Sequence, residues 1–360
     1  MAGRPPVRAR QPRSLREPFR IRDLEVAPGE AGTVDLPVAQ LYTHTELNIP
    51  LQVVHGRADG PVLLVSSSIH GDELNGVEVI RRLRRARPLS RLRGTLILAP
   101  VVNVFGFIHK SRYLPDRRDL NRCFPGSERG SLGSRIAAMF CREVLDACTH
   151  LLDLHTGAIH RSNLPQIRAD CRDEKVLAMA RAFGLPVILD SEPLEGSLRG
   201  EAGARGIPAL VYEAGEALRY EEDSIRAGVR GCLRVMRHLG MLAPSRARRH
   251  SWEPFVARSS QWVRAETDGV FRPHVSLGTR VRRGDVLGVV GSPLGEDDVE
   301  ILAPAAGVVV GRNNIPLVNE GEALFHVARF DDLGDVVRGV EEFLGGITEA
   351  AHADPEPPLA

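Results

Sequence analysis

The stretch VLLVSSSIHGDELNG, residues 62–76, places polar side chains directly behind a short apolar run. Val62–Ser67 reads as a buried strand, and the segment after the loop, Leu74–Arg87, has helical periodicity. Between them, His70 and Glu73 lie three residues apart. The strand, loop and helix in this order indicate an α/β protein. The loop is either half of a metal site or a polar cap on the helix, whose dipole favours acidic residues in its first turn.

The same alternation of apolar runs and amphipathic segments continues from about residue 50 to about 240. It predicts an α/β domain with a mixed, largely parallel sheet flanked by helices. The other predicted strands are Thr95–Val101, Leu151–Leu154, Val187–Leu189 and Ala209–Tyr212. The other predicted helices are Leu132–Ala147, Glu174–Phe183 and Glu221–Leu239.

From about residue 255 the sequence changes to short β-like runs separated by glycine turns. Two halves carry a similar Gly-x-x-Leu element, at Gly284–Leu287 and Gly321–Leu324, which predicts a small all-β sandwich. The pattern resembles the barrel-sandwich of biotinyl and lipoyl carrier domains. No lysine follows Lys175, so a covalently attached cofactor is excluded. The module is therefore structural, or it shapes a substrate entrance.

These changes in residue pattern and composition predict five segments along the chain. Residues 1–18 and 348–360 are expected to be mobile ends. Residues 19–243 form the α/β domain, and residues 255–347 form the β-rich C-terminal domain. The Pro- and Arg-rich segment 244–254 between them is a linker.

Composition narrows the class of protein. The 360 residues carry a net charge of +1, so no global field draws the chain toward nucleic acid or a membrane surface. The five cysteines form no Cys-x-x-Cys pair, which favours a reducing, cytoplasmic location over a disulfide framework. No segment has the length and apolar character of a signal peptide or a membrane helix.

Four polar clusters each follow a predicted strand: His70 with Glu73, the segment Arg112–Arg122, then His155, and last Glu213. The carboxyl ends of parallel strands share one edge of a sheet, where ligands bind. Clusters that are far apart in sequence should therefore meet in space.

The residue types of three clusters match a metal-assisted hydrolysis. Two imidazoles and a carboxylate, from His70, His155 and Glu73, form the three-ligand zinc set found in thermolysin and carboxypeptidase A. Asp153 is a candidate for orienting His155, although strand alternation could also turn it away. Glu213 is a candidate general base and acid, and its alternative is a strand-end carboxylate in a salt bridge.

The remaining cluster, SRYLPDRRDLNRCFPG, supplies cations and an amide. Asn121 and Arg122 could bind a substrate carboxylate, and Arg112 could stabilise the oxyanion at an attacked carbonyl. For Arg117 and Arg118 a solvated loop is the simpler interpretation.

In this order, HGDE, RYLPDRRDLNRCFPG, DLHTG and VYEAGE resemble the succinylglutamate desuccinylase/aspartoacylase family, relatives of the zinc carboxypeptidases. The resemblance implies a carboxypeptidase-like fold and one zinc per chain, held by His70, Glu73 and His155. It also implies general base and acid catalysis by Glu213, carbonyl polarisation by Arg112, and carboxylate binding by Asn121 with Arg122. The segment between Arg112 and Asn121 is longer than in aspartoacylase itself, so Arg117 or Arg118 are alternatives to Arg112.

The sequence therefore predicts a zinc hydrolase that cleaves the amide bond of a small carboxylate-bearing N-acyl amino acid or related N-acyl amine. An esterase, or a carboxypeptidase acting on peptides, is the alternative within enzymes. The arginine-rich run Arg81–Arg93 gives a second class, a nucleic-acid-binding protein, but a solvated helix face explains it more simply. The expected partner is a small-molecule substrate, without nucleic acid or membrane, and a homo-oligomer is possible.

Overall fold

The computed structural model describes residues 16–244, 253–295, 297–331 and 333–353. Most of the predicted N-terminal segment, of the 244–254 linker and of the C-terminal tail lies outside these residues. Within them no helix has the length and apolar character needed to span a membrane.

The first part of the chain alternates strands and helices. Its strands are β1 Phe19–Ile21, β2 Leu24–Val26, β3 Ala31–Gln40, β4 Glu46–His55, β5 Ala58–Ser67, β6 Arg93–Ala99, β7 His150–Gly157, β8 Arg161–Ala169, β9 Val187–Asp190 and β10 Ala209–Glu216. Its helices are α1 Asn75–Arg84, α2 Val104–His109, α3 Leu132–Glu143, α4 Glu174–Phe183, α5 Leu198–Ala204 and α6 Glu222–His238, with short 3-10 turns at Arg87–Arg91, Leu120–Arg122 and Leu145–Ala147.

The second part is β-rich and ends in a helix. Its elements are β11 Phe255–Ala257, β12 Ser259–Arg264, β13 Gly269–Pro273, β14 Arg280–Val281, β15 Val286–Gly291, β16 Val299–Leu302, β17 Gly307–Asn313, β18 Leu317–Val318, β19 Ala323–Arg329 and α7 Leu333–Ala353.

The central sheet confirms the predicted mixed, largely parallel α/β fold. Its order is β12-β19-β17-β8-β10-β7-β5-β6-β4-β3. The strands β6, β5, β7 and β10 run parallel in its middle, and β4 and β8 flank them antiparallel. Four of the predicted strands lie in this order as β5, β6, β7 and β10, and the fifth, Val187–Leu189, lies in β9, which pairs with β8 beside it. The carboxyl ends of β5, β7 and β10 therefore meet at one edge.

Helices cover both faces of this sheet, and each face has its own apolar core. One core lies under α1, α4 and α6, and the other under α2, α3 and α5. The α6 backbone approaches α4 closely, because a Cβ on Gly231 would lie 1.9 Å from the Phe183 ring. Burial of a phenylalanine side chain such as Phe183 contributes roughly 1.5–3 kcal/mol relative to exposure.

Local signals explain why the boundaries of α4 were predictable, whereas α1 and α3 end at Arg84 and Glu143, earlier than the predicted Arg87 and Ala147. The Asp173 carboxylate accepts hydrogen bonds from the backbone N–H groups of Lys175 and Val176 at the start of α4, and Gly184 ends the helix in a left-handed conformation with φ +83°. These caps confine α4 to the ten residues that the sequence pattern predicts.

The second part forms the predicted two-layer arrangement of antiparallel strands around its own core. One layer is the four-stranded sheet β16-β15-β13-β18. The other layer, β12-β19-β17, joins the central sheet through pairing of β17 with β8. The α7 helix ends at Ala353, so it extends into the segment 348–360 that was predicted to be a mobile tail. The limits of the predicted segments stay predictions.

Candidate active site

A cavity of about 290 Å³ opens at the edge where β5, β7 and β10 end. Every residue predicted for the site from sequence lines this cavity: the three candidate metal ligands, the candidate base, and the three candidate substrate-contacting residues, namely His70, Glu73, His155, Glu213, Arg112, Asn121 and Arg122. Arg117 and Arg118 are exposed and do not line it.

His70 and Glu73 lie in the tight loop between β5 and α1. The loop packs against α2 so closely that a Cβ on Gly71 would lie 2.0 Å from the carbonyl carbon of Gly106. The residue that caps α1 is Leu74, and no side chain makes a capping hydrogen bond there. Capping of the helix therefore does not explain the polar loop.

The candidate ligands converge on the Glu73 carboxylate. His70 Nδ1 lies 2.8 Å from Glu73 Oε1, and His155 Nδ1 lies 2.8 Å from Glu73 Oε2. All three side chains are buried, and one donor atom of each lies within 4.8 Å of the others. Two imidazole nitrogens and a carboxylate oxygen at this separation fit a single tetrahedral cation such as zinc, which leaves one position open.

Two further carboxylates hold the other imidazole nitrogens. Asp119 Oδ1 lies 3.1 Å from His70 Nε2, and Asp153 Oδ2 lies 2.9 Å from His155 Nε2. The outer carboxylates fix both rings so that each Nδ1 faces Glu73, which is the arrangement of metal-binding histidines in proteins. The donor set and its supports therefore fit a divalent metal.

The electrostatics of this cluster agree with that fit. Burial alone would raise the pKa of Glu73, but the adjacent imidazoles of His70 and His155 hold it well below its usual value. Burial alone would lower the pKa of His155, but Asp153 and Glu73 hold it well above its usual value. Two buried carboxylates, Glu73 and Asp153, and the partly buried Asp119 around two imidazoles strongly favour a positive charge at their centre.

Arg112 is the arginine beside the candidate ligands. Its Nη2 donates to Asp119 Oδ2 at 2.9 Å, and its Nη1 lies 3.4 Å from Glu73 Oε1. The side chain is 26 % exposed, so it still faces the cavity. Arg112 contacts a candidate ligand and lines the cavity, whereas Arg117 and Arg118 are exposed and do not line it.

Glu213 reaches the cavity because β10 pairs with β7 in a register that sets Glu213 opposite His155. Its Oε2 accepts a hydrogen bond from Asn163 Nδ2 at 2.8 Å, and its Oε1 lies 3.2 Å from Arg168 Nε. The carboxylate is 16 % exposed. It is thus held in place by β8 and remains accessible from the cavity.

The remaining cavity wall carries cations. The Asn121 side-chain oxygen accepts a hydrogen bond from the backbone N–H of Leu198, which ties its loop to α5 and leaves the amide NH₂ group for other partners. Arg122 is exposed at the rim. Arg199 is 8 % exposed, and burial followed by repulsion from Arg168 lowers its pKa to about 10.

Sequence reasoning missed several cavity residues. Asp119 stands within the quoted arginine-rich motif, two residues before Asn121, but its carboxylate was not assigned a role. Asn163 and Arg168 lie on β8, which was not among the predicted strands, and Trp262 comes from β12. Only the pairing of distant strands brings these side chains to the cavity.

An α/β sheet that ends in a buried His-Glu-His group defines a class of protein, α/β proteins with a candidate catalytic metal site. Within that class the chain belongs to the succinylglutamate desuccinylase/aspartoacylase family, because residues 59–239 match the model of that family's catalytic domain. The predicted family is thereby confirmed.

The similarity to known relatives extends over most of the chain. It is 27 % identical over 322 residues to the N-alpha-acetyl-L-2,4-diaminobutyric acid deacetylase of Halomonas elongata, covering 85 % of this chain and 93 % of the relative. A succinylglutamate desuccinylase/aspartoacylase structure from Rhodobacter sphaeroides superposes with a TM-score of 0.75 at 27 % identity, covering 84 % of this chain and 95 % of that one. The product-bound ectoine utilization protein EutE of Ruegeria pomeroyi gives 0.75 at 26 %, covering 83 % and 94 %.

Proposed function

We propose that this protein is a zinc-dependent deacylase that hydrolyses the amide bond of a small carboxylate-bearing N-acyl amino acid or related N-acyl amine. The observation that carries the proposal is the convergence of His70, Glu73 and His155 in a cavity that also holds Glu213. The three converging side chains would hold one zinc ion per chain. Zinc in such a site supplies a Lewis acid and an activated water at neutral pH.

In this proposal Glu213 moves the proton of the reaction. Its carboxylate accepts a proton from the attacking water and later gives it to the nitrogen of the leaving amine. Asn163 and Arg168 hold the two carboxylate oxygens, so the group is oriented before substrate binds. Orientation of this kind lowers the barrier because it is established before the reaction.

The arginines bind and polarise the substrate. Arg112 donates toward the carbonyl oxygen, on which negative charge develops. Arg122 and Arg199 pair with the substrate carboxylate, since neither guanidinium has a carboxylate partner in the part of the chain that is described. The Asn121 NH₂ group adds a neutral donor.

Relatives and cavity shape support a deacylase acting on small molecules. The Halomonas relative is named as a deacetylase of an N-acetylated amino acid, which is an amide. Trp262, from the β-rich part of the chain, forms part of the cavity wall, and we infer that this part restricts the access of a peptide. A carboxypeptidase activity on peptides, or an esterase activity, remains the alternative. Rapid trimming of peptide C-termini would reverse our preference.

The nucleic-acid-binding alternative has less support. In the run Arg81–Arg93, Arg82 donates to Glu222 at 2.7 Å, and both Arg81 and Arg82 pair with Glu78. These carboxylates offset part of the positive charge on that helix face.

The five cysteines are free, which agrees with the cytoplasmic location that we infer.

Glu213→Gln tests the proposal, because glutamine keeps the shape and cannot accept the proton. We expect turnover of an N-acetyl amino acid to fall about 10²- to 10⁴-fold while one zinc per chain is retained. Glu195→Gln, at an exposed position outside the cavity, is the matched control and should keep wild-type turnover. Wild-type turnover in Glu213→Gln would remove Glu213 from the mechanism.

A further inference from the structure

The strand that carries Glu213 ends in a bulge. Glu213 lies opposite His155 on β7. The next pair in the same register is Glu216 with Gly157, so β10 contains one residue more than β7 between the two pairs. Gly215 lies within the bulge in a left-handed conformation with φ +75°, which glycine adopts without the steric cost of a Cβ. A bulge beside a site re-aims a neighbouring side chain, and here that side chain is Glu213.

Asn75 lies against this bulge. A Cβ on Gly215 would lie 2.6 Å from Asn75 Nδ2, so the amide group packs directly on the glycine. Asn75 Nδ2 donates to the Ala214 carbonyl at 3.2 Å, and Asn75 Oδ1 accepts from the backbone N–H of Glu221 at 2.9 Å. The side chain is 1 % exposed, so water cannot replace either bond. One amide group therefore binds the chain both before and after the bulge.

Asn75 also belongs to the part of the chain that carries candidate metal ligands. It is the first residue of α1 and follows the candidate ligand Glu73 by two positions. The same loop makes a further bond to the segment after β10, because the Leu218 N–H donates to the Asp72 carbonyl at 2.8 Å. Residues 217–221 are thus fastened to the loop between β5 and α1. The bulge and this loop form one connected unit.

The far end of the bulge is anchored separately. Glu216 Oε1 accepts from the His160 N–H at 3.1 Å, and Glu216 Oε2 accepts from Asn314 Nδ2 at 2.9 Å. His160 lies in the turn between β7 and β8, and Asn314 follows β17 in the β-rich part. Glu221 Oε1 accepts from the Glu216 N–H at 3.0 Å, which joins this anchor to the segment that Asn75 holds. The backbone behind the candidate base is therefore fixed at both ends.

We propose that Asn75 is a positioning residue, which sets the place of the Glu213 carboxylate relative to the metal site by bridging the β5–α1 loop and the bulge. The proposal rests on the proposed function and deepens it. Asn75 does not line the cavity, so it acts through Glu213 and does not touch the substrate. Displacement of a reacting group by about 1 Å can cost about 10²-fold in rate, so a small shift of the bulge is enough to slow the reaction.

The bridge requires a side chain that both donates and accepts. An amide does both, whereas a carboxylate only accepts and a methyl group does neither. Asn75→Asp keeps the bond from Glu221 but turns an oxygen toward the Ala214 carbonyl. Asn75→Ala removes both bonds. The two variants weaken the bridge to different degrees, and neither changes a residue that lines the cavity.

The first experiment measures kcat, KM and zinc content of wild type, Asn75→Asp and Asn75→Ala with the N-acetyl amino acid that wild type hydrolyses fastest. We expect kcat to fall about 10- to 100-fold in both variants, while KM and zinc content stay within about twofold of wild type, because only the base is displaced. Asn319→Ala removes an exposed amide outside the cavity and is the matched control, which should keep wild-type kcat. Wild-type kcat in both Asn75 variants would overturn the proposal.

A double-variant cycle separates positioning from a general structural role. If Asn75 acts through Glu213, adding Asn75→Ala to Glu213→Gln should lower the residual kcat by less than about twofold, because the group that Asn75 positions is already inactive. A structural role would lower that residual kcat by the same factor as in the wild-type background. Such multiplication of the two effects would reject the proposal.

Hydrogen exchange measured by mass spectrometry follows the bridge without turnover. The Glu221 amide donates to Asn75, so Asn75→Ala should speed exchange within residues 214–221 and leave the rest of β10 protected. Faster exchange confined to that segment, in a protein that hydrolyses no N-acyl amino acid, would sustain the bridge and reject the deacylase. Hydrolysis by wild type with unchanged exchange in Asn75→Ala would reject the bridge alone.

Discussion

Replacing Asp153 by asparagine keeps the shape of the side chain but changes its hydrogen bond to His155. Asp153 Oδ2 lies 2.9 Å from His155 Nε2, and Asp153 Oδ1 accepts a hydrogen bond from the Ser66 hydroxyl at 2.7 Å. A carboxylate only accepts, so Nε2 keeps its proton. Metal binding then removes the proton of Nδ1, the nitrogen that faces Glu73.

In Asp153→Asn an amide oxygen and an NH₂ group face the same two partners. While the Ser66 hydroxyl donates to the oxygen, the NH₂ group faces His155 Nε2, which must then accept. The proton of the neutral ring moves to Nδ1, which can no longer bind metal. Loss of such an outer carboxylate weakens metal affinity about 10- to 100-fold, or about 1.4–2.7 kcal/mol. We expect the upper end, because Asp153 is 1 % exposed and water cannot replace it.

Competition with a chromophoric chelator measures the zinc affinity of each variant. Asp35→Asn, on an exposed position of β3, is the control and should bind zinc as the wild type does. Adding Ser66→Ala to Asp153→Asn should recover part of the affinity, because the amide is then free to turn its oxygen toward Nε2. Wild-type zinc affinity in Asp153→Asn would refute this account of how His155 is oriented.

Three further predictions concern stability and reactivity. The pKa of His326 is lowered by burial from 6.5 to about 3, so the folded state binds fewer protons in that window and stability falls as pH drops through it. In urea unfolding at pH 7 and pH 5, the free energy of unfolding of His326→Phe should change less between the two pH values than that of the wild type. An equal change in both proteins would contradict this prediction. The buried Tyr212 hydroxyl donates to the Ser224 carbonyl at 2.6 Å, so Tyr212→Phe should lower the free energy of unfolding by about 1 kcal/mol, and an unchanged value would count against that bond. Burial raises the pKa of the Cys141 and Cys232 thiols to about 12, so these should react with a disulfide reagent at pH 8 only after unfolding; rapid labelling of all five thiols in the native protein would exclude this.

The candidate metal ligands could be predicted from sequence because their signals are local. His70 and Glu73 share one loop, and His155 follows a clear apolar run near the carboxyl end of β7. Asp153 was also predictable, since residues two apart on a strand point to the same face. The alternative that strand alternation turns Asp153 away from His155 was therefore wrong, because both side chains lie on one face of β7.

The contacts that orient Glu213 could not be predicted from sequence. They depend on β8, whose residues Arg161–Ala169 include Pro165 and many polar side chains. Arg161, Asn163 and Arg168 line the cavity, so the strand lacks the apolar alternation that marks a strand in sequence. Its pairing with β10 and β17 is a long-range choice that no local pattern records.

The β-rich part illustrates the same limit. Repeated glycine turns predicted its two layers of strands, because turn chemistry is local. They did not predict that one layer would continue the central sheet through β17 and β8. That junction brings Trp262 to the cavity, and it connects the second part of the chain to the chemistry of the first.

The metal content of purified protein, measured by plasma mass spectrometry for wild type beside His155→Ala, tests the central claim most directly. The account predicts about one zinc per wild-type chain and loss of that zinc in the variant. The intact fold of the variant is checked by its circular dichroism. A wild-type protein that stays empty after zinc is supplied, or a variant that binds zinc as tightly as the wild type, would contradict the account.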